Sequence, residues 1–346
     1  MKKISFITIF SLLLALLAGC VATPVVVCTC PTDGTNTTPT NPTIAVEGAV
    51  KTGLAIVTNV GESKDAEIAK FDVTLVAVLV DDAGVIVDCV IDSIGTDIKF
   101  DGNGTITTAL LDEIATKNEL GDNYNMVAYG GAKYEWYQQA ESLANFAVGK
   151  TLAELQNGAI DESGYAPAGS DLASSATIYL GGYINAIAEA VANAKHLGAQ
   201  GGDKLILASR SNTTSSVSAT AEKAGTAQLN CDATALTVKD GKITSCYIDS
   251  VQAKVLFTAT GEITGNNVKT KNQLGRDYNM MAFGGAKAEW DAQAAAFAAY
   301  VTGKTAEEVA GIAVNENKKP TGVDLSVSVT ISIGDFQQLI VKALQG

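Results

Sequence analysis

"TKNELGDNYNMVAYGGAKYEW", residues 116–136, returns as "TKNQLGRDYNMMAFGGAKAEW", residues 270–290, 154 residues further on. Blocks this long that agree at most positions mean that the chain carries one structural plan twice, and that recurrence decides the architecture. Working outward, Cys89 matches Cys246 at a spacing of 157, and Asp171 matches Asp324 at a spacing of 153. The small drift is what loops of unequal length produce. Two large related modules fit these spacings, and a short tandem repeat does not.

Each module reads in the same order. "FDVTLVAVLV" and "VIVDCVIDS" are apolar, β-branched runs joined by "DDAG" and followed by "DGNG", the strand and turn signals of an antiparallel meander. In the second copy "TALTV" and "KITSCYIDS" are joined through "KDGK". A helix follows the "GGAK" segment, with Trp136, Ala140, Leu143 and Ala147 at helical spacing, and Trp290, Ala294, Phe297 and Val301 likewise. Thr151 with Glu154, and Thr305 with Glu308, form capping boxes for a following short helix. Strands first and helices later predict an α+β fold, each module an antiparallel sheet with packed helices. The modules are expected over residues 47–200 and 201–346.

The chain has 346 residues, 47% hydrophobic and 18% charged, enough for two cores, and a net charge of −13. An acidic surface repels phosphate backbones, so nucleic acid is not an expected partner. His196 is the single histidine and no Cys-x-x-Cys occurs, which excludes a His-dependent triad and leaves no basis for a zinc site. Cys89 lies on the apolar face of its strand and reads as a small core residue. Cys28 and Cys30 sit in a Thr-, Pro- and Asn-rich stretch that reads as a flexible tether. Ahead of it, "MKK" and the apolar "ISFITIFSLLLALLAG" form a signal-like segment over residues 1–19 that ends at Cys20. The run "LAGC" resembles a bacterial lipoprotein signal. That resemblance implies a lipidated Cys20 heading a tether over residues 20–46, and a lipid-anchored chain on the extracytoplasmic face of the cell membrane. Each buried methylene of such a lipid contributes roughly 0.8 kcal/mol.

A second pair of segments is less ordinary. "DLASSAT", residues 171–177, has its counterpart in "DLSVSVT", residues 324–330, so Thr177 and Thr330 keep one register behind an Asp. As a bare helix start, Ser170, Asp171, Ser174 and Ser175 are all candidate caps for free N–H groups. Capping alone does not demand the Thr, because Ser174 and Ala176 become Val327 and Val329 while Asp324, Ser328 and Thr330 stay. A Thr in the first turn of a helix suits a phosphate, since free N–H groups and the dipole favour an anion there.

These segments resemble the attachment motif of bacterial FMN-binding modules, Asp-x-x-(Ser/Thr)-Gly-Ala-(Ser/Thr), in which FMN is joined through its phosphate to the last hydroxyl. With the paired "YNM…GGAK-x-EW" blocks, the lipoprotein signal and the tether, nearly the whole chain is similar to flavinylated lipoproteins of extracellular electron transfer. The resemblance implies two covalent FMN groups, on Thr177 and Thr330, with Asp171, Asp324, Ser174, Ser175 and Ser328 as motif residues. Ser175 and Ser328 stand where the motif has Gly, and Val329 where it has Ala. It further implies an electron carrier rather than a stand-alone enzyme, with no catalytic residue of its own. Its partners would be an FMN transferase, a membrane donor (a quinone-linked dehydrogenase or a flavoprotein), and an extracellular acceptor such as ferric iron or a surface reductase.

Tyr124 and Tyr278 precede the helix in Gly- and Asn-rich loops and are the candidate ring contacts; Tyr129 and Phe283 are further ones, and Trp136 and Trp290 read as core. "GGAK" serves either close approach of backbone to a flavin or a tight turn, and Lys133 and Lys287 either a phosphate or solvent. "GKT" at Gly149 and Gly303 is not a nucleotide loop, because Ala144 and Ala298 occupy the required glycine position. The competing function is a non-redox surface lipoprotein that binds a small solute or an envelope partner. A hydrolase lacks any nucleophile–base pair.

Overall fold

A computed structural model describes residues 46–345. The signal-like segment, Cys20, Cys28, Cys30 and almost all of the expected tether lie outside the described residues. Within them the architecture is α+β, built on two antiparallel sheets. β1 (Lys51–Asn59), β2 (Ile68–Val80) and β3 (Ile86–Lys99) form the first, in that order. β4 (Lys204–Asn212), β5 (Gly225–Lys239), β6 (Lys242–Phe257) and β7 (Ile263–Asn267) form the second. The hairpins expected around "DDAG" and "KDGK" are present. Asp240 and Gly241 both have positive φ, 51° and 75°, as a two-residue turn matched to the twist of its strands requires. Strands β1 and β4, which periodicity did not single out, open the two sheets.

Helices cover the outer faces. After β3 come α1 (Lys117–Leu120), α2 (Trp136–Ala147), α3 (Leu152–Gly158), α4 (Asp171–Ser175) and α5 (Gly181–Asn193). After β7 come α6 (Lys271–Leu274), α7 (Trp290–Val301), α8 (Ala306–Ala310), α9 (Val323–Ser326) and α10 (Gly334–Gln345). Helix α2 lies over β3 and α5 over β1 and β2; α7 lies over β6 and α10 over β4 and β5. Gly53 of β1 lets α5 come close, since a Cβ there would run into the carbonyl oxygen of Ala190. No helix of the described residues is long and apolar enough to cross a membrane.

The inner faces of the sheets meet, so four layers stack as helices, sheet, sheet, helices. Leu54, Ile56, Phe71, Val73 and Leu75 from the first sheet share one core with Leu229, Ala233, Val251 and Val255 from the second. Phe100 and Phe257 stack across the halves with centroids 4.1 Å apart. Thr52 and Ser245 bond through their hydroxyls at 2.7 Å, a buried polar pair satisfied from opposite sheets. Alternation sends Val76, Val78, Cys89 and Ile91 outward beneath α2 and α5, and Cys246 and Ile248 outward beneath α7. Cys89, Cys231 and Cys246 are buried. Burial pushes the last two up to about 12, so they serve as small core residues.

Candidate functional site

The repeated block beginning at Thr116 folds from the sheet outward. Thr116 and Thr270 close capping boxes with Glu119 and Gln273 at the start of α1 and α6. Beneath them Asp92 accepts from the backbone N–H of Ser93 at 2.7 Å and of Asn118 at 3.1 Å. Asp249 does the same with Ser250 and Asn272, at the same distances. Both carboxyls are pushed up to about 6, because burial outweighs these hydrogen bonds and those from Thr116 and Thr270. A 3-10 turn then carries Tyr124 or Tyr278, closed by Asn125 or Asn279 in left-handed conformation.

The "GGAK" segment is a closed loop hung from the next helix. Glu135 accepts from Met126 N at 2.8 Å and Val127 N at 3.0 Å; Glu289 accepts from Met280 N at 2.9 Å and Met281 N at 3.2 Å. Gly130 and Gly284 are forced by this turn, since a Cβ would sit 2.6 and 2.7 Å from the carbonyl oxygens of Met126 and Met280. The tight-turn reading of the glycines therefore has a direct physical cause. The loop leaves Tyr129 and Phe283 each 88% exposed.

Thr177 and Thr330 are reached from the same helices. Gln139, three residues into α2 and fully buried, accepts at Oε1 from Thr177 N (2.8 Å), Thr177 Oγ1 (3.2 Å) and Ile178 N (3.1 Å). Gln293 of α7 accepts from Thr330 N (2.7 Å), Thr330 Oγ1 (3.1 Å) and Ile331 N (3.2 Å). The other end of each amide is held too: Gln139 Nε2 donates to Tyr134 O at 2.9 Å, and Gln293 Nε2 to Ala288 O at 2.8 Å. The amide thus ties the threonine segment to the loop before the helix. Neither Gln was singled out from sequence, although "EWYQQA" and "EWDAQA" keep Gln three residues after Trp in both halves.

The threonines do not occupy the first turn of a helix, as the sequence suggested. Thr177 lies just past the C-cap Ala176 of α4 and four residues before α5, and Thr330 stands in the matching turn after α9. The chain stops being helical because Leu172 and Ala176, or Leu325 and Val329, are drawn into the core and Gln captures the next two N–H groups. Thr177 is exposed and Thr330 half-buried. Among the expected caps only Ser170 acts as one, accepting from Ala173 N at 3.1 Å. Ser174 Oγ turns back to Asp171 O, Ser175 Oγ to Leu172 O, and Ser328 Oγ to Leu325 O. Asp171 and Asp324 lie exposed in the first turns of α4 and α9.

Lys133 Nζ donates to Ser174 O at 3.1 Å, which brings the "GGAK" loop and the threonine segment of the first half together. Lys287 is exposed in the second half. Tyr124 and Tyr278 each lie beside a lysine of the short helix that precedes them. Lys117 lies 5.1 Å from the ring centroids of both Tyr124 and Trp136, and Lys271 lies 5.4 and 4.8 Å from those of Tyr278 and Trp290. Trp136 and Trp290 are core residues, as expected, at 2% and 4% exposure. Two residues after Thr177 stands Tyr179, 54% exposed and set edge-on to Tyr165 at 5.7 Å, an aromatic pair that the sequence reading did not single out. Comparison of the chain with protein-family models, curated proteins and solved structures returned no match.

Proposed function

We propose that the chain is an extracytoplasmic electron carrier, anchored through Cys20, with FMN joined through its phosphate to Thr177 and to Thr330. One observation carries the reading furthest. In both halves a threonine at the same register behind an Asp presents its hydroxyl in a solvent-facing turn, and a buried glutamine fixes both its N–H and its Oγ1. A packing threonine does not need this arrangement twice. Gln takes only the hydroxyl proton, so the Oγ1 lone pairs stay free for a phosphoryl group. Once Oγ1 is esterified, the two backbone donors keep the turn in place.

The neighbouring groups fit such a cofactor. Lys133 supplies a cation beside the Thr177 segment, and Tyr179 and Tyr165 supply exposed aromatic faces. Tyr129 and Phe283 stand in exposed loops that precede the glutamine-bearing helices. The flavin, when bound, accepts one or two electrons and so links two-electron donors to one-electron acceptors. The chain contributes attachment and orientation. Activation of the hydroxyl belongs to a separate FMN transferase, and the donor and acceptor are a membrane oxidoreductase and an extracellular oxidant. On this reading the halves are homologous modules, divided near residue 200 and descended from one sequence, and each carries one cofactor on its own helical layer.

The test is intact and peptide mass spectrometry of the chain made together with an FMN transferase. Two additions of FMN size should map to the peptides holding Thr177 and Thr330. Thr177→Ala and Thr330→Ala should each remove one addition, and the double variant both. A colourless product whose mass is polypeptide plus lipid alone would sink the proposal.

A further inference from the structure

A second site lies away from both threonine turns. A cleft of about 410 Å³ opens between α7, strand β6 and the connection that follows α5. One wall is the methyl surface of Ala292, Ala295 and Ala299 on α7. At the matching positions of α2, 154 residues earlier, stand Gln138, Glu141 and Asn145, side chains long enough to fill such a space. The second half has therefore exchanged long polar residues for methyl groups on one face of one helix.

Charges of both signs reach the same cleft. Lys195 enters from the connection, Asp291 from the first turn of α7, and Asp249 from the floor at 7% exposure. Among the described residues no ion pair joins Lys195 to either carboxylate. Lys195 lies 5.3 Å from the ring centroid of Tyr247. Burial pushes the Tyr247 phenol up to about 12, so it remains a hydrogen-bond donor. The volume falls within the range of small-molecule sites, and a mostly apolar wall with a few converging polar groups is their usual make-up.

We propose that this cleft binds a small zwitterion with an apolar substituent, a free α-amino acid of the leucine or phenylalanine type. Its carboxylate meets Lys195, its ammonium meets Asp291 and Asp249, and its side chain lies on the alanine wall. A neutral apolar molecule would offer no counter-charge to Lys195 or to the carboxylates of Asp291 and Asp249, and a phosphorylated one would face two carboxylates. This inference is independent of the flavin.

Calorimetric titration of the full chain with L-phenylalanine and L-leucine tests it, alongside 2-phenylethylamine and 3-phenylpropionate, which each lack one charge. The amino acids should bind saturably, and the single-charge analogues roughly tenfold or more weakly, as loss of one charge-assisted hydrogen bond requires. Ala295→Glu and Ala299→Asn, which install the first-half residues, should abolish binding without lowering the melting temperature. Lys195→Gln and Asp291→Asn should each weaken it roughly tenfold. Failure of both amino acids to saturate, equal affinity for the single-charge analogues, or full affinity in Ala295→Glu would overturn the proposal.

Discussion

At the scale of single residues the threonine turns depend on one amide each. Gln139 Oε1 serves three donors and its Nε2 a fourth group, all within the first half of the molecule. Gln139→Leu should cost about 1–3 kcal/mol, because Tyr134 O and two backbone N–H groups lose a partner in or near the core. Gln139→Glu is not a conservative rescue, since a carboxylate oxygen would then face the Tyr134 carbonyl. If the proposed modification occurs, peptide mass spectrometry of Gln139→Leu should find its occupancy reduced at Thr177 and unchanged at Thr330. The mirror result is expected for Gln293→Leu. Thr177→Ala removes one of three donors to Gln139 Oε1 and leaves the two backbone N–H groups in place, so it should shift stability by less than about 1 kcal/mol, read as a nearly unchanged melting temperature.

At the scale of elements, Asp92 and Asp249 join the strand of each hairpin to the helix that follows it. Both carboxyls have their pKa raised in the fold, from 3.8 to about 6, by burial. The folded state therefore binds these protons more tightly than the unfolded chain. Their contribution to stability is fully present below pH 3.8 and is lost as pH rises towards 6. Asparagine keeps the oxygen that accepts from Asn118 and carries no charge at any pH. Asp92→Asn should therefore gain stability relative to the parent between pH 4 and pH 7, by up to about 3 kcal/mol. Chemical denaturation at the two pH values measures the difference, and a gap that stays constant or narrows would contradict the assignment.

At the scale of the whole molecule the two halves are not independent. Their sheets share a core, and segments of each half bond to the other: Ile114 N to Ser211 O, Ala66 N to Gly261 O, Ala219 N to Gly104 O. Either half alone would expose the inner face that holds Phe71, Leu75 and Phe100 or Val251, Val255 and Phe257. Residues 47–200 or 201–345 produced singly should be aggregated or partly unfolded by size exclusion and circular dichroism, and co-expression should restore a soluble pair. Phe257→Ala should cost about 3–5 kcal/mol and destabilise the chain as one cooperative unit. The threonine segments pack into the two outer cores, with both sheets between them. On the proposed function, each site would then exchange electrons with outside partners on its own. Thr330→Ala should keep half the flavin, and with it half the electrons taken up in a reductive titration.

The hairpins, the capping boxes at Thr151 and Thr305, the core tryptophans and the buried Cys89 were legible in the sequence, because each is set by local periodicity or a few adjacent residues. So was the pairing of the two threonine registers, which any recurrence reveals. The sequence did not disclose that the inner faces of the sheets are one core, since alternation says that a face is buried and not against what. Nor could it show Gln139 and Gln293 reaching across 38 and 37 residues to the threonines, or the cleft beside Ala295. Such contacts exist only where helices are laid on a sheet at a particular angle. The chain itself determined which residues recur, and packing in three dimensions decided what each of them touches.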